Sequence, residues 1–361
     1  MGKNTTIPFG PQHPVLPEPI HLDLELEDEK VVRAIPSIGY IHRGLEKLVE
    51  KRGYQEYVYV AERVCGICSF GHGWGYCRAV EKLMDLQVPE RAQYLRTLWH
   101  ELSRVHSHLL WLGLLADGMG FESLFMHAWR LRETVLDIFE ETTGGRVIFS
   151  TCKVGGVRRD IDKETLDRMV TILTGLRAEV EEMMEIFLED STVKERLCGV
   201  GVMTMEQARE WGCVGPMAKA SGLAIDYRCA EEETVYHALG FKPITDTAGD
   251  CYARCKVRLL EVLQAIDLSV GCCRQMPDGP IDMKVIGFPP VGEAFTRTEQ
   301  PRGEAIYYVK GNKTKNLERF RLRTPTNINI PAMVNLLQGC ELADVPMIIL
   351  TIDPCISCCE R

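Results

Sequence analysis

Alternation of apolar and polar residues is strictest near the amino end, where His21-Leu-Asp-Leu-Glu-Leu-Glu27 sends leucines to one face and polar residues to the other. Lys30-Val-Val-Arg-Ala-Ile35 resumes after the acidic Asp28-Glu29 turn, so the two runs predict an antiparallel hairpin. The period then lengthens. From Pro89 to about Leu115, Leu95, Leu98, Leu102, Val105, Leu109 and Leu112 recur at helical spacing behind a Pro-Glu-Arg opening, which predicts a core helix. Further helices are expected over roughly Glu122 to Thr143, Lys163 to Leu188 and Ala253 to Gln275, the Lys163 helix turning an acidic face to water. After Pro301, strand-like runs at Ala305-Ile-Tyr-Tyr-Val309 and Met347-Ile-Ile-Leu-Thr-Ile352 flank a short helix near Pro331 to Leu337. The fold class that follows is α+β and predominantly helical: a central helical bundle, an amino-terminal antiparallel β-hairpin or sheet, and small carboxyl-terminal strands. Gly155-Gly156, Pro277 to Pro280 and Pro289-Pro290 mark loops, and no repeat or low-complexity linker divides the chain, so one domain is expected over 1–361.

Composition narrows the function. The chain has 361 residues, 45% of them hydrophobic, enough for a sizeable core. A net charge of −9 without a local basic cluster argues against nucleic acid as a partner. The amino end carries no apolar stretch of signal-peptide length, and no run approaches the ~18 apolar residues of a membrane span. Met1-Gly2 with Thr6 fits a short acylation pattern that is too common to carry weight. Fifteen cysteines without a secretory signal point to a reducing compartment, where thiols serve as ligands or as small buried hydrophobes. Cys251 with Cys255, one helical turn apart, and the Cys272-Cys273 pair are expected to pack in the core.

Two Cys-x-x-Cys pairs stand apart from these. Cys65 and Cys68 lie in Arg63-Val-Cys-Gly-Ile-Cys-Ser-Phe-Gly-His72, and Cys355 and Cys358 in Asp353-Pro-Cys-Ile-Ser-Cys358 near the other end. Cysteines at this spacing on a tight turn aim both sulfurs at one point, so four thiolates from distant segments suggest a buried metal centre. A structural zinc site has the same formula. Zinc ribbons, however, hold their pairs within a few tens of residues and substitute for a small core, whereas this chain has ample core. Thiolates also suit iron and nickel, and Arg63, His72 and Asp353 flank the pairs with charge and hydrogen-bonding capacity.

Arg-x-Cys-Gly-x-Cys-x-x-x-His together with Asp-Pro-Cys-x-x-Cys resembles the large, catalytic subunit of nickel-iron hydrogenases. Gly10-Pro-Gln-His-Pro14, His42-Arg-Gly-Leu-Glu46, Gly155-Gly-Val157 and Pro301-Arg-Gly-Glu304 followed by Tyr307-Tyr308 resemble, more closely, the energy-converting membrane-bound (Ech-type) branch. The similarity runs from about Ile7 to Arg361. That branch is related to the 49-kDa subunit of respiratory complex I, so a quinone-site subunit of a complex I-like NADH dehydrogenase is the alternative. Four thiolates favour the hydrogenase, because a quinone site has no need of them.

The resemblance implies reversible cleavage and evolution of dihydrogen at a nickel-iron centre whose iron carries carbon monoxide and cyanide. Cys65 and Cys355 are then terminal nickel ligands, while Cys68 and Cys358 bridge the metals, with Cys355 the thiolate that accepts a proton. Arg302, after Pro301, is implied to hang its guanidinium over the metals, with Asp353 as its partner; Thr326 corresponds to a hydroxyl that hydrogen-bonds a cyanide. Glu18, between Pro17 and Pro19, corresponds to a proton-relaying glutamate, and His72 to a donor toward a bridging sulfur. Arg63 is expected to orient thiolates. Glu46 corresponds to a residue that in many relatives helps bind magnesium. Those relatives supply a terminal histidine, where this chain reads Cys358-Cys-Glu-Arg361, so Glu46 is equally expected to pair with a cation. Cys359 also departs from the pattern. No compact cysteine motif for an iron-sulfur cluster remains, so the implied partners are a small subunit with a [4Fe-4S] cluster, a ferredoxin-like donor and integral membrane subunits that translocate ions. The chain would then be peripheral on the cytoplasmic face of the cell membrane.

Overall fold

Leu22, Leu24 and Leu26 turn inward from β2 (His21–Glu27), as the alternation requires. This strand pairs with β1 (Asn4–Phe9) on one side and β3 (Lys30–Ser37) on the other, so the expected hairpin forms two strands of a three-stranded antiparallel sheet. The structure is a computed structural model and describes residues 4–361; the Met1-Gly2 pattern lies outside them.

The bundle follows the helical periodicity. Its helices are α3 (Glu90–Gly118), α4 (Glu122–Thr143), α5 (Lys163–Glu189) and α10 (Cys251–Arg274). Helix α3 packs on α4 and α10, and α10 on α5. Side chains place the starts: Asp162 accepts a hydrogen bond from Thr165 N and Asp250 from Ala253 N, satisfying first-turn amides. Helix α4 stops at Gly144, whose φ of 81° continues no helix. Four short helices, α6 (Ser191–Leu197), α7 (Met205–Glu210), α8 (Pro216–Ala220) and α9 (Thr234–Ala238), fill the path between α5 and α10. Cys251, Cys255, Cys272 and Cys273 are all buried in α10.

Two elements build the site, one that the apolar pattern did not announce and one of which it announced only the Ala305–Val309 run. Helix α2 (Ser69–Leu83), which follows α1 (Tyr57–Glu62), carries Gly71, Gly73 and Gly75, which weaken its helical signature. A Cβ at these positions would overlap Gln300, Glu62 and Tyr307 respectively, so the glycines admit three polar side chains against the helix backbone. The second is a hairpin of β6 (Gly292–Gln300) and β7 (Gly303–Gly311), extended by β8 (Arg319–Arg323); only Pro301 and Arg302 join the first two strands. A two-stranded ladder, β4 (Cys152–Lys153) with β5 (Gly156–Val157), carries the Gly155-Gly156 turn.

The carboxyl-terminal expectation needs correction. Met347 to Ile352 is no strand but the body of a buried helix, α12 (Val345–Ile352), because an apolar run this short suits either state and Pro346 favours a first helical turn. The preceding helix, α11 (Pro325–Leu337), is longer than expected and continues through Pro331. Helix α12 ends at Asp353 in the left-handed region (φ 61°, ψ 58°), and α13 (Ile356–Glu360) follows. No helix among the described residues is long and apolar enough to cross a membrane.

Candidate metal centre

One apolar core runs from Phe9 to Ile356, and beside it lies a small separate cluster made of Cys65, Cys68, Cys355 and Cys358, none more than 4% exposed. Cys65 and Cys68 sit on the turn between α1 and α2, and Cys355 stands at the amino end of α13 with Cys358 one turn further. The Sγ atoms of Cys65 and Cys355 are 3.3 Å apart. Those of Cys65, Cys355 and Cys358 all lie within 4.8 Å of one another. The amides of Ile67 and Cys68 donate to Cys65 Sγ at 3.3 and 3.2 Å. Hydrogen bonds with Cys355, Cys358 and Cys68 hold Cys65 well below the usual thiol range, which favours a thiolate, the form that binds metal.

The two turns are fastened to each other by a residue whose role was not legible in the chain. Arg43 donates to Arg63 O and Val64 O, both at 2.8 Å, and to Ser357 O at 3.1 Å, so one guanidinium spans both cysteine segments. Nearby, the Glu360 carboxylate accepts from the amides of Gly39 and Ile41, both at 2.5 Å, clasping α13 to the 39–43 segment. Thr326 Oγ1 accepts from Cys355 N at 3.1 Å, so its hydroxyl oxygen is engaged in holding a cysteine backbone. Glu18 accepts from Ser357 N at 3.0 Å and from Ser357 Oγ, which brings it to the first turn of α13.

Arg302 enters from the tip of the β6–β7 turn. Its Nη1 lies 3.3 Å from Cys68 Sγ and from Ser107 Oγ, while Nη2 donates to Asp353 Oδ1 at 2.8 Å and Nε to Asp353 O at 3.0 Å. The left-handed turn at Asp353 is what lets its carbonyl and carboxylate face the same guanidinium. Burial raises the Asp353 carboxyl, against the pull of Arg302 and Arg258. Gly215 and Gly303 fix the backbone behind Arg302, since a side chain on either would strike the other's main chain. Asn329 holds that contact by bonding Val214 N and O at 3.1 and 3.2 Å.

His72, on α2, reaches the cluster from the opposite side, with Nε2 3.3 Å from Cys358 Sγ and Nδ1 2.9 Å from Tyr307 Oη. Burial pushes its imidazole down to about 4, so it is neutral at physiological pH.

Arg63 departs from expectation, Glu46 takes the cation-pairing alternative, and Cys359 leaves Cys358 in the cluster. Arg63 is exposed and donates to Tyr59 O at 2.8 Å, so it orients no thiolate; its backbone carbonyl serves instead, as an acceptor for Arg43. Glu46 does not fit a magnesium ligand. It accepts from Arg361 Nε at 2.8 Å, Arg321 Nη1 at 2.6 Å and Leu322 N at 2.9 Å, so guanidinium groups occupy both of its oxygens. The net result is a carboxyl held below its usual range: burial raises it, and Arg361, Leu322 and Arg321 outweigh that. Cys359 is buried but lies outside the thiol cluster.

The donor set suits soft metal ions. Three of the sulfurs lie within 4.8 Å of one another, and Cys68 adds a fourth beside Arg302. Asp353 Oδ2 and Gln300 Oε1 are buried without a hydrogen-bond partner beside this cluster. A cavity of about 500 Å³ lined by Trp74, Arg78 and Glu233 includes none of the four cysteines.

Comparison with known proteins gives a consistent placement. Residues 118–287 and 283–361 match the family described as respiratory-chain NADH dehydrogenase, 49-kDa subunit, and residues 43–116 match the nickel-dependent hydrogenase family. The chain is 39% identical over 357 residues to the carbon monoxide-induced hydrogenase of Rhodospirillum rubrum, covering 99% of each. It is also 39% identical over 374 residues to the membrane-bound hydrogenase subunit alpha of Pyrococcus furiosus, covering 98% of this chain and 87% of that one. A chain of the membrane-bound sulfane sulfur reductase, an archaeal respiratory membrane complex, superimposes with a TM-score of 0.93 at 31% identity, covering 99% of this chain and 98% of that one.

Proposed function

This chain belongs to the family that joins nickel-dependent hydrogenase large subunits to the 49-kDa subunits of respiratory NADH dehydrogenase, and on that premise we propose that it is the catalytic subunit of an energy-converting, membrane-associated hydrogenase. The observation that carries the reading is the buried cluster of four cysteines, which a quinone-site subunit does not require. Cys65, Cys68, Cys355 and Cys358 would hold the nickel-iron group, Cys65 and Cys355 as ligands to nickel and Cys68 and Cys358 as ligands to both metals. When bound, the nickel-iron group with its carbon monoxide and cyanide ligands supplies the Lewis acidity that polarises dihydrogen.

The protein's own residues manage the proton and the charge. Cys355 Sγ takes the proton of a heterolytic cleavage, and Glu18, bonded to Ser357 two residues further on, receives it from Cys355 on the way out. Arg302 is held by Asp353 and stays charged, so it positions and stabilises electrostatically and transfers no proton. Thr326 fixes the Cys355 backbone, and Pro301 delivers Arg302 at the hairpin tip. Burial excludes bulk water, which strengthens each of these interactions.

Electrons leave through a small subunit carrying a [4Fe-4S] cluster to a ferredoxin-like partner, and integral membrane subunits couple the reaction to ion movement. The chain itself sits peripherally on the cytoplasmic membrane face. Metal analysis and infrared spectroscopy of the purified complex test the reading: one nickel and one iron per chain with carbon monoxide and cyanide bands are expected. Stoichiometric zinc without those bands would refute it.

A further inference from the structure

We propose that Tyr307 and Gln300 decide which ring nitrogen of His72 carries its proton, making His72 a fixed N–H donor to the Cys358 sulfur. The proposal rests on the reading of Cys358 as a metal ligand and adds two positioning residues to it.

His72 is 1% exposed, and a neutral imidazole has one N–H and one lone pair. Its two contacts, Cys358 Sγ at Nε2 and Tyr307 Oη at Nδ1, therefore cannot both receive a hydrogen. Tyr307 Oη resolves the choice through its other neighbours. Gln300 Nε2, 2.9 Å away, only donates and so occupies an oxygen lone pair. Thr298 also faces this hydroxyl and can donate to its oxygen, and of the other acceptors for the hydroxyl proton His72 Nδ1 at 2.9 Å is nearer than Gly71 O at 3.3 Å and takes it. Nδ1 accepts, the proton resides on Nε2, and Nε2 points at Cys358. The opposite Gln300 orientation, with its carbonyl oxygen accepting from Tyr307, would reverse every step and leave Cys358 without a donor.

The arrangement is built into the fold. Tyr307 lies on β7 and Gln300 ends β6, so their side chains reach His72 only by lying against α2, at Gly75 and Gly71. Larger residues at either glycine would displace them. The spaced glycines that weaken α2 as a helix thus make room for the pair that orients His72. An N–H directed at a thiolate withdraws electron density from sulfur, favouring the more reduced form of any metal bound there.

The test is Tyr307→Phe in the purified complex. Nickel and iron are expected at wild-type stoichiometry, the carbon monoxide band at lower wavenumber because more electron density reaches iron, and the reduction potential of the centre more negative. Gln300→Met should shift both in the same direction by less. Unchanged bands and potential in Tyr307→Phe would overturn the proposal; if that variant does not assemble, Gln300→Met decides by the same criterion. A wild-type complex with neither diatomic band refutes the hydrogenase reading instead, so the two failures are distinguishable.

Discussion

Around Lys219 the chain buries four carboxyl groups, Asp226, Glu101, Glu261 and Glu299, against three cations, Lys219, Arg228 and Arg104, whereas around Cys65 it buries four thiols with Arg302 beside them. The first cluster is nearly satisfied from within, Glu299 Oε1 being the one oxygen of its four carboxyls without a hydrogen-bond partner among the described residues. Lys219 reaches Asp226 at 2.9 Å and also Glu261, Arg228 reaches Asp226 at 2.8 Å and Glu101 at 3.2 Å, and Tyr236 donates to Glu101 at 2.6 Å. Burial, then the charge of Asp226, raises Glu299 to about 8, so it stays protonated at neutral pH and three carboxylates face three cations. His108, pushed down to about 4 by burial, adds no charge. The thiol cluster has no such balance: Asp353 already claims Arg302 through two contacts. Burial and the neighbouring sulfurs raise Cys68, Cys355 and Cys358 while Cys65 alone is lowered, so ionising all four thiols together, as metal ligation requires, depends on cations from outside the chain. The comparison separates polar burial that holds a fold from polar burial that awaits a ligand.

Removing a ligand should break that contrast most sharply. Cys65→Ala is expected to abolish nickel retention and hydrogen activity together, measured by metal analysis and dihydrogen evolution, while the folded chain persists. Retained activity would remove Cys65 from the ligand set. Lys219→Met should do the reverse. It leaves Asp226 and Glu261 short of a cation and is expected to cost about 3–5 kcal/mol in denaturant unfolding, with normal metal content in the protein that folds. A third variant separates positioning from ligation. Arg43→Gln removes the guanidinium that joins the two cysteine turns; the side chain is exposed, so the cost in global stability should be only about 1 kcal/mol. Nickel occupancy should fall while the infrared bands of the loaded fraction stay in place, and shifted bands would show instead that Arg43 acts on the metals directly.

The sequence revealed these two regions unequally, for physical reasons. Cys65, Cys68, Cys355 and Cys358 were legible because a turn with Cys-x-x-Cys spacing already fixes where two sulfurs point, Asp353 because it stands two residues before Cys355, and Arg302 only through the family resemblance of the Pro301-Arg-Gly-Glu304 segment. The bundle helices were legible because their apolar period extends over many turns. Helix α2 was not, since its glycines answer to Gln300, Glu62 and Tyr307, residues that approach it from α1 and from strands far along the chain. The same holds for Arg43, whose three acceptors are backbone carbonyls without any side-chain signature. The Lys219 cluster draws on α3, α8, α10, β6 and the segment at Asp226, so no local window contains it. Met347 to Ile352 misled as a strand because a fully buried run of that length has no polar face from which to read a period.

The smallest expected effect tests the charge count itself. If Glu299 is protonated in the folded protein at neutral pH, Glu299→Gln replaces one neutral group by another, and its cost at pH 6 to 7 should stay below about 1 kcal/mol. The pH dependence is more telling. A carboxyl raised from 4.5 to about 8 by burial keeps its proton in the folded state after the unfolded chain has lost its own. Folding stability from this group is then fully present below about pH 4.5 and declines as pH rises toward 8, because the unfolded state binds fewer protons across that window. Gln cannot ionise, so the variant should lack this decline and gain on the wild type as pH increases, measured as the difference in unfolding free energy at pH 6 and pH 9. Parallel pH profiles would mean that Glu299 is ionised throughout. The Lys219 cluster would then carry a net negative charge, and balance would no longer separate it from the thiols.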